Sequence, residues 1–400
     1  MKSNEFKQTI QLKYDRLFIG VSYILCFISA YLLLIYFEEL SVYRTVLLGV
    51  FVFALSIISV KNILLKLTKR DWFIFFLVVL AIFTGILNKM YYGTLIFYTN
   101  NLFLIAAVII GYSLNHLYIP KLSLFIFVFS ILFGLLIFIL EYELTHVDIP
   151  LYSRNLLSMV SIPILLVLFV QYQQNRFESP YVLMISTTLG LIVSIIAVGR
   201  SGIIASSIMF IAALIATTSY SKGKSYIDKL RTRFVFIFMA IVLMSVVLLF
   251  FFDYLQAKLS YLYVSGLTDP ARSYIAQQYF ELLTFSQIFS GTNYSEMPEF
   301  INFGGNLHNT YLTYHGNFGV FGIFIFLMFF YSIAKTAWNK EVFMTLVFLS
   351  FSLRILTDTG NDFFTHLGIF TIIFYGLKTK QTIQKNLNQS RTKFLSLKRM

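Results

Sequence analysis

Long apolar runs, almost free of charged residues, recur along the whole of this 400-residue chain. A helix needs about 20 such residues to cross the roughly 30 Å hydrocarbon core of a bilayer. Only 12% of the residues are charged and 58% are hydrophobic, whereas a soluble domain carries about 25% charged residues. Because apolar residues run continuously and do not alternate with polar ones, they indicate helices and disfavour a β-barrel. The chain is therefore predicted to be an all-α, polytopic integral membrane bundle.

The lengths of the runs predict about twelve transmembrane helices in a single transmembrane domain, residues 1–400. The predicted spans are 17–37, 45–60, 72–88, 93–113, 122–140, 156–172, 181–199, 202–219, 234–252, 310–333, 342–356 and 363–377. Residues 254–309 form a long loop between the ninth and tenth spans, and residues 378–400 form a basic tail. Within the loop, the segment from Pro270 to Leu283 has helical periodicity, which predicts a short helix over the outer mouth of the bundle.

The formal net charge of +13 can be interpreted only once the charges are placed relative to the membrane. With the N-terminus in the cytoplasm, most Lys and Arg residues fall in inner segments and most of the 18 acidic residues fall outside. This satisfies the positive-inside rule, with both termini cytoplasmic and the long loop outside. The positive charge is then a topology signal and an attraction for anionic membrane lipids, and no nucleic-acid partner is expected.

Two outer arginines are the first candidates for binding an anion. Arg200 lies in Gly199-Arg200-Ser201-Gly202, the tight turn between two predicted spans, and Arg272 follows Pro270 in the long loop. Guanidinium forms bidentate hydrogen bonds with phosphate and stays charged at neutral pH. Alternatively, Arg200 is an interfacial anchor that reaches lipid headgroups, and Arg272 forms a loop salt bridge with Asp269.

His308 and Asn309 lie where the long loop enters the tenth span, just before the glycine spacing Gly316, Gly319, Gly322. An imidazole at the lip of a dry helix bundle can accept a proton from a hydroxyl group. Alternatively, the histidine caps the start of the helix. His315 lies about two turns further on, where it either supports His308 or packs inside the bundle. The glycine spacing itself predicts close helix contact.

Further candidates surround other outer turns. Arg154 and Asn155 precede the sixth span, and Arg354 lies near Asp358 at the last outer turn. Arg154, Asn155 and Arg354 are candidate substrate-binding residues, although Arg354 and Asp358 have the i, i+4 spacing of a structural ion pair.

Several kinds of chemistry have no motif in this sequence. It contains no Gly-rich P-loop, no HExxH, no Cys/His metal spacing and no Gly-x-Ser-x-Gly elbow. No cofactor and no metal are therefore expected. A set of outer arginines with a histidine suits a substrate that is already activated as a lipid-linked phosphate or diphosphate.

Taken together, these features resemble the superfamily of O-antigen polymerases and O-antigen ligases, which build bacterial surface polysaccharides. The resemblance rests on about twelve spans, the Gly199-Arg200-Ser201-Gly202 turn, the late outer loop, and His308-Asn309 before Gly316, Gly319 and Gly322. The family pattern has an acidic residue before the first of these glycines, where this chain carries Thr313-Tyr314-His315.

The resemblance implies a GT-C-like membrane glycosyltransferase in the bacterial cytoplasmic membrane. Its donor and acceptor would be oligosaccharides linked to undecaprenyl diphosphate, joined as repeat units of a capsule, exopolysaccharide or O-antigen without a metal. Arg200 and Arg272 would bind the diphosphate leaving group, His308 would be the candidate base, and Arg154, Asn155, Asn309, His315 and Arg354 would contact substrate. A flippase and a chain-length regulator are the implied protein partners.

Two other functions remain open at this point. A ligase-type glycan transferase would share all of these residues. A flippase for lipid-linked oligosaccharides would instead place its charges along a central path at mid-membrane depth, and it would need no large outer loop.

Overall fold

The computed structural model describes the chain over several separate stretches. They are residues 67–92, 96–116, 155–175, 181–196, 200–220, 270–294, 309–357 and 363–378, with the isolated positions 128, 129, 132, 234, 238, 245, 256, 297, 298 and 307. The predicted spans 17–37, 45–60, 122–140 and 234–252 lie outside these stretches, apart from isolated positions. The N-terminus and the tail from residue 379 onward also lie outside them.

The described residues form helices, and no strand occurs among them. In chain order the helices are α1 (Lys69–Tyr92), α2 (Ile96–His116), α3 (Asn155–Asn175), α4 (Tyr181–Ile196), α5 (Arg200–Tyr220), α6 (Pro270–Glu281), α7 (Phe285–Ser290), α8 (Thr310–Trp338), α9 (Val342–Leu356) and α10 (Phe363–Leu377). The prediction of an all-α fold is confirmed for this part of the chain, and every predicted span within it except 310–333 coincides with a single helix. The short helix predicted in the long loop is α6.

Helix α10 lies at the centre of the described bundle. Every side chain from Phe363 to Gly376 is buried, and α10 packs against α2, α3 and α8. Gly111 of α2 allows this close approach, because a Cβ there would lie 3.1–3.2 Å from the backbone of Phe370 and Thr371. α10 also carries the buried polar residues Thr365, His366 and Thr371. In a membrane bundle such side chains face the interior, in agreement with the central position of α10.

Other helices carry apolar residues on the outside of the bundle. On α1, Trp72, Phe76, Val79, Phe83 and Leu87 are exposed, and their spacing of three or four residues places them on one face. Within the described residues, three helices are long and apolar enough to cross a membrane: Lys69–Asn88, Arg200–Thr217 and Thr310–Trp338. The architecture is compatible with a helical membrane protein, while the number of crossings stays a prediction.

Contacts between helix ends agree with the predicted alternation of the spans. At one end of the bundle, Lys378 donates from Nζ to the backbone carbonyl of Asn115, and Gln174 donates from Nε2 to the Asn115 Oδ1 at 2.7 Å. At the other end, Asn88 donates from Nδ2 to the carbonyl of Ser290. Residues predicted on the same side of the membrane thus meet at the same end, although which side is cytoplasmic stays a prediction.

Helix α8 is not one straight span. Gly319 has φ 55° and ψ −141°, which interrupts the helix, and the ring of Tyr311 lies 4.3 Å from that of Phe326 and 5.6 Å from that of Phe330. In a straight helix, 15 residues would separate Tyr311 from Phe326 by about 22 Å. Residues 310–318 therefore fold back on residues 320–338.

This fold-back corrects the prediction of a single continuous span over 310–333. Residues 320–338 by themselves extend about 28 Å, close to the thickness of the hydrocarbon core. The preceding segment, 310–318, is a short limb that packs beside them. The turn requires glycine, because positive φ is unfavourable for other residues and a Cβ at Gly319 would overlap the carbonyl oxygen of Phe289.

Candidate functional site

A buried arginine marks one end of the bundle. Arg354, in the last turn of α9, is only 1% exposed, and its Nε–H donates a 2.9 Å hydrogen bond to the Oγ of Ser158 in α3. Guanidinium remains charged at any physiological pH, and moving it out of water costs several kcal/mol before compensation. A permanent cation at such a position in an apolar bundle is by default a candidate functional group.

The turn that contains Arg200 reaches the same serine. A Cβ at Gly202 would lie 2.6 Å from both the Cβ and the Oγ of Ser158, so the first turn of α5 packs directly on that side chain. Arg200 begins α5 two residues earlier, and its side chain is partly exposed. Ser158 is thus the common neighbour of the segments that carry Arg200 and Arg354. We call this region, formed by Ser158, Arg200, Gly202 and Arg354, the arginine end.

Small polar side chains hold the helices together near this region. Ser350, one turn before Arg354, donates from Oγ to the backbone carbonyl of Ala205 at 2.7 Å. Ser194 and Ser206 share a hydrogen bond of 2.8 Å between their hydroxyl oxygens. Such side chains let helix backbones approach closely within a membrane bundle. The backbone positions of both arginines are therefore fixed by packing on neighbouring helices.

Two helices also begin at the arginine end. α3 starts at Asn155, one turn before Ser158, and α5 starts at Arg200. The first backbone N–H groups of a helix have no partner within the helix, and the helix dipole places partial positive charge there. Helix starts of this kind, together with arginine side chains, favour an anion with several oxygens, such as a phosphate or diphosphate.

His315 lies in a different environment, against the long loop. Its Nε2 lies 3.0 Å from the backbone carbonyl of Ile288, and its Nδ1 lies 2.7 Å from the hydroxyl of Tyr279. A carbonyl can only accept, so Nε2 carries the proton, and in the neutral ring Nδ1 accepts from the tyrosine. Both ring nitrogens are therefore engaged in tying the 310–318 limb to α6 and α7.

Tyr279 remains a hydrogen-bond donor throughout the physiological range. Its burial, together with the nearby hydroxyl of Tyr294, raises the pKa of Tyr279 above the ordinary value. The Tyr294 hydroxyl in turn donates to Asn317 Oδ1 at 3.0 Å. The resulting polar cluster is enclosed by an apolar one that includes Ile275, Met297, Leu307 and Leu312. The loop is thus docked on the limb by both kinds of contact.

Asn309 begins the limb as its N-cap. Its Oδ1 accepts from the backbone N–H groups of Tyr311 and Leu312, at 2.9 and 3.3 Å. Tyr311, two residues later, lies with its hydroxyl 3.1 Å from the Oγ of Ser352, which precedes Arg354 by two residues in α9. The start of the limb therefore packs on the helix that carries Arg354. A substrate contact through Asn309, still a prediction, would use its Nδ2 group because Oδ1 serves the cap.

The remaining candidates are described only in part. His308 and Arg154 lie outside the described residues, as does Asp358, the predicted partner of Arg354. Arg272 lies in the first turn of α6, and Asn155 is the first residue of α3, but neither side chain is described. The structure thus places the segments that carry Arg200 and Arg354 against the same residue, Ser158. The roles of both arginines, like those of His308, Arg272, Arg154 and Asn155, stay predictions.

Sequence reasoning did not identify Ser158, Tyr279 or Ser352, whose importance depends on contacts between distant parts of the chain. A buried serine in an apolar run has no distinctive local pattern. Within the described residues, no group of three or more His, Cys, Asp or Glu side chains could hold a metal ion.

Comparisons of the chain with protein-family models, with curated proteins and with solved structures give no match.

Proposed function

We propose that this protein is a membrane glycosyltransferase that polymerises oligosaccharide repeat units carried on undecaprenyl diphosphate. It would act at the outer face of the bacterial cytoplasmic membrane in the synthesis of a capsule, an exopolysaccharide or an O-antigen. The observation that best supports the proposal is the shared contact of the Arg200 and Arg354 segments with Ser158, which holds the charged side chain of Arg354 inside the bundle.

The proposed reaction is a single displacement at the anomeric carbon of the donor sugar. A hydroxyl of the acceptor glycan attacks that carbon, the bond to the diphosphate oxygen breaks, and the hydroxyl proton passes to His308. The leaving diphosphate gains negative charge as the bond breaks. Guanidinium groups that are already in place stabilise this charge most at the transition state, which is how they would accelerate the reaction.

Burial of Arg354 would strengthen its proposed interaction with the diphosphate. In a low-dielectric environment a charge pair interacts more strongly than in water, and a fixed side chain needs little reorganisation when the diphosphate charge develops. Arg200, which is partly exposed, is suited to first contact with the incoming diphosphate. Arg272, in the loop helix α6, would be the third arginine that binds the diphosphate.

The position of Arg354 also bears on the transporter alternative. It lies two residues from the end of α9, whereas a flippase should carry its charges along a central path at mid-membrane depth. A ligase would share the arginine end, so only the products can separate ligase from polymerase.

The test is to reconstitute the purified protein in vesicles with a lipid-diphosphate-linked repeat unit, without nucleotide or metal, and to resolve the products by length. A ladder of longer lipid-linked glycans is expected. Transfer of a single glycan to a different acceptor, with no ladder, would favour the ligase. Unchanged donor that has crossed the bilayer would favour the transporter and contradict the proposal.

A further inference from the structure

The loop segment from Phe280 to Phe289, which includes α7, carries several exposed apolar side chains. Phe285 is 80% exposed and Phe289 is 52% exposed, and Phe280, Leu282 and Ile288 are exposed beside them. The rings of Phe285 and Phe289 pack edge to face at 5.5 Å. We call these five residues the apolar strip. So many large side chains exposed together on a loop indicate a surface that is not in contact with bulk water.

The three residues of the strip that belong to α7 lie on one side of that helix. Phe285, Ile288 and Phe289 have the i, i+3, i+4 spacing of a single helix face, and the polar residues Ser286 and Gln287 lie on other faces. The backbone N–H of Thr284 donates to Gln287 Oε1 at 2.9 Å, which fixes the start of the helix. α7 is therefore a short amphipathic helix with a defined apolar face.

Three contacts fix α7 at the end of the bundle. Asn88 of α1 donates from Nδ2 to the carbonyl of Ser290, His315 donates from Nε2 to the carbonyl of Ile288 at 3.0 Å, and the backbone of Phe289 packs on Gly319. These contacts use the backbone of α7, so its apolar side chains are left facing away from the bundle.

The strip continues the apolar exterior of two long helices. Near Asn88, α1 exposes Phe83 and Leu87, and just after Gly319, α8 exposes Ile323 and Phe324. Both helices belong to the group that is long and apolar enough to cross a membrane. α7 contacts both helices next to these exposed side chains, at Asn88 of α1 and at Gly319 of α8.

We propose that the apolar strip is buried in the bilayer, at the boundary between the acyl chains and the headgroups of the leaflet next to the arginine end. The side chains of the strip are in contact with lipid. Short amphipathic helices with aromatic residues lie in this plane, and aromatic side chains are favoured at this depth. Residues 273–298 contain no Lys or Arg, so the attachment is driven by apolar burial and not by anionic headgroups.

The consequence concerns the depth of the loop. His315 is hydrogen-bonded to α7, and Gly319 packs on its backbone. Insertion of the strip would therefore fix the 310–318 limb at the level of the lipid headgroups. The described part of the long loop, residues 270–294, would then lie along the membrane surface instead of projecting over the mouth of the bundle. This inference does not rest on the proposed enzymatic function.

The experiment uses the full chain with its single cysteine removed by Cys26→Ser. Nitroxide labels are attached at Phe285→Cys and, separately, at Phe289→Cys, with Ser286→Cys as the matched control on a polar face of the same helix. Each labelled protein is reconstituted in vesicles of phosphatidylethanolamine and phosphatidylglycerol. Collision with oxygen, which concentrates in lipid, is compared with collision with a water-soluble nickel chelate.

We expect the ratio of oxygen to nickel accessibility to be several-fold higher at positions 285 and 289 than at position 286. Equal nickel accessibility at all three positions would show that the strip faces water and would overturn the proposal. Exclusion of both reagents from positions 285 and 289, with dipolar broadening between labels on different molecules, would show a second copy of the chain in place of lipid and would also overturn it.

Discussion

Arg354 and Ser158, separated by 196 positions in the sequence, are joined by a hydrogen bond of 2.9 Å from Nε to Oγ. The bond links α9 to the start of α3 and fixes the guanidinium next to the turn that carries Arg200. A buried arginine held in this way is a preorganised cation, and Ser158 is its positioning residue.

The first prediction concerns Ser158→Ala. The substitution removes the acceptor of a hydrogen bond from a buried charged group, which typically costs about 1–3 kcal/mol. We expect lower thermal stability and a higher KM for the lipid-linked donor. Ser161→Ala is the matched control, because Ser161 is buried on the same helix and its hydrogen bond to the Ser158 carbonyl is long at 3.5 Å. Equal effects of the two substitutions on KM would contradict a positioning role.

Gly319→Ala should disrupt the fold-back of α8. A residue other than glycine at φ 55° and ψ −141° is held in a sparsely populated backbone region, at a cost of about 1–3 kcal/mol, and the added Cβ would overlap the Phe289 carbonyl. We expect a loss of at least about 2 kcal/mol in stability, or failure to accumulate folded protein. Leu327→Ala, at an exposed position on the same helix, serves as the control in a thermal unfolding measurement. A Gly319→Ala protein as stable as the control would show that the chain does not fold back at Gly319.

The contact between Tyr279 and His315 can be measured by a double-mutant cycle. Tyr279→Phe, His315→Gln and the double variant are compared by thermal unfolding, and we expect a coupling of about 0.5–3 kcal/mol. Tyr274→Phe, on the exposed side of α6, should show no coupling to His315. Additive effects of Tyr279→Phe and His315→Gln would show that the loop is not docked through this hydrogen bond.

Two predictions for site residues rest on the family resemblance. His308→Ala and Arg272→Ala should each abolish polymer formation while the protein remains in the membrane at normal levels. Polymer length is measured by electrophoresis, and protein level by blotting of membrane fractions. Normal polymer from a well-expressed His308→Ala variant would show that His308 is not the base.

The helices of this protein follow from the sequence because apolar run length is a strong local signal. Segments such as 342–356 and 363–377 match α9 and α10 residue for residue, and the periodicity around Pro270 identified α6. The fold-back in α8 could not be predicted from the sequence. The spacing of Gly316, Gly319 and Gly322 is compatible with close helix contact as well as with a turn, and only the backbone conformation at Gly319 distinguishes them.

The candidate site was predictable to a smaller extent. Arginine at a predicted outer turn identified Arg200 and Arg354 separately, because an ionisable group near an apolar run is conspicuous. Their common neighbour Ser158 depends on how α3, α5 and α9 pack, and hydrophobic periodicity does not specify which helices become neighbours. From the sequence alone, Arg354 is a weaker candidate than Arg200, because its spacing to Asp358 also fits a structural ion pair. Because Arg354 is buried, we expect Arg354→Ala and Arg200→Ala to have effects of similar size.

The most direct measurement compares glycan products made from a lipid-diphosphate-linked repeat unit by the unmodified protein and by the Arg200→Ala/Arg354→Ala double variant. Arg70→Ala, an exposed arginine at the opposite end of the bundle, is the control for loss of one positive charge. We expect a ladder from the unmodified protein and from the control, and none from a folded double variant. A normal ladder from the double variant would contradict a diphosphate site at the arginine end, and the absence of any ladder from the unmodified protein would contradict the polymerase itself.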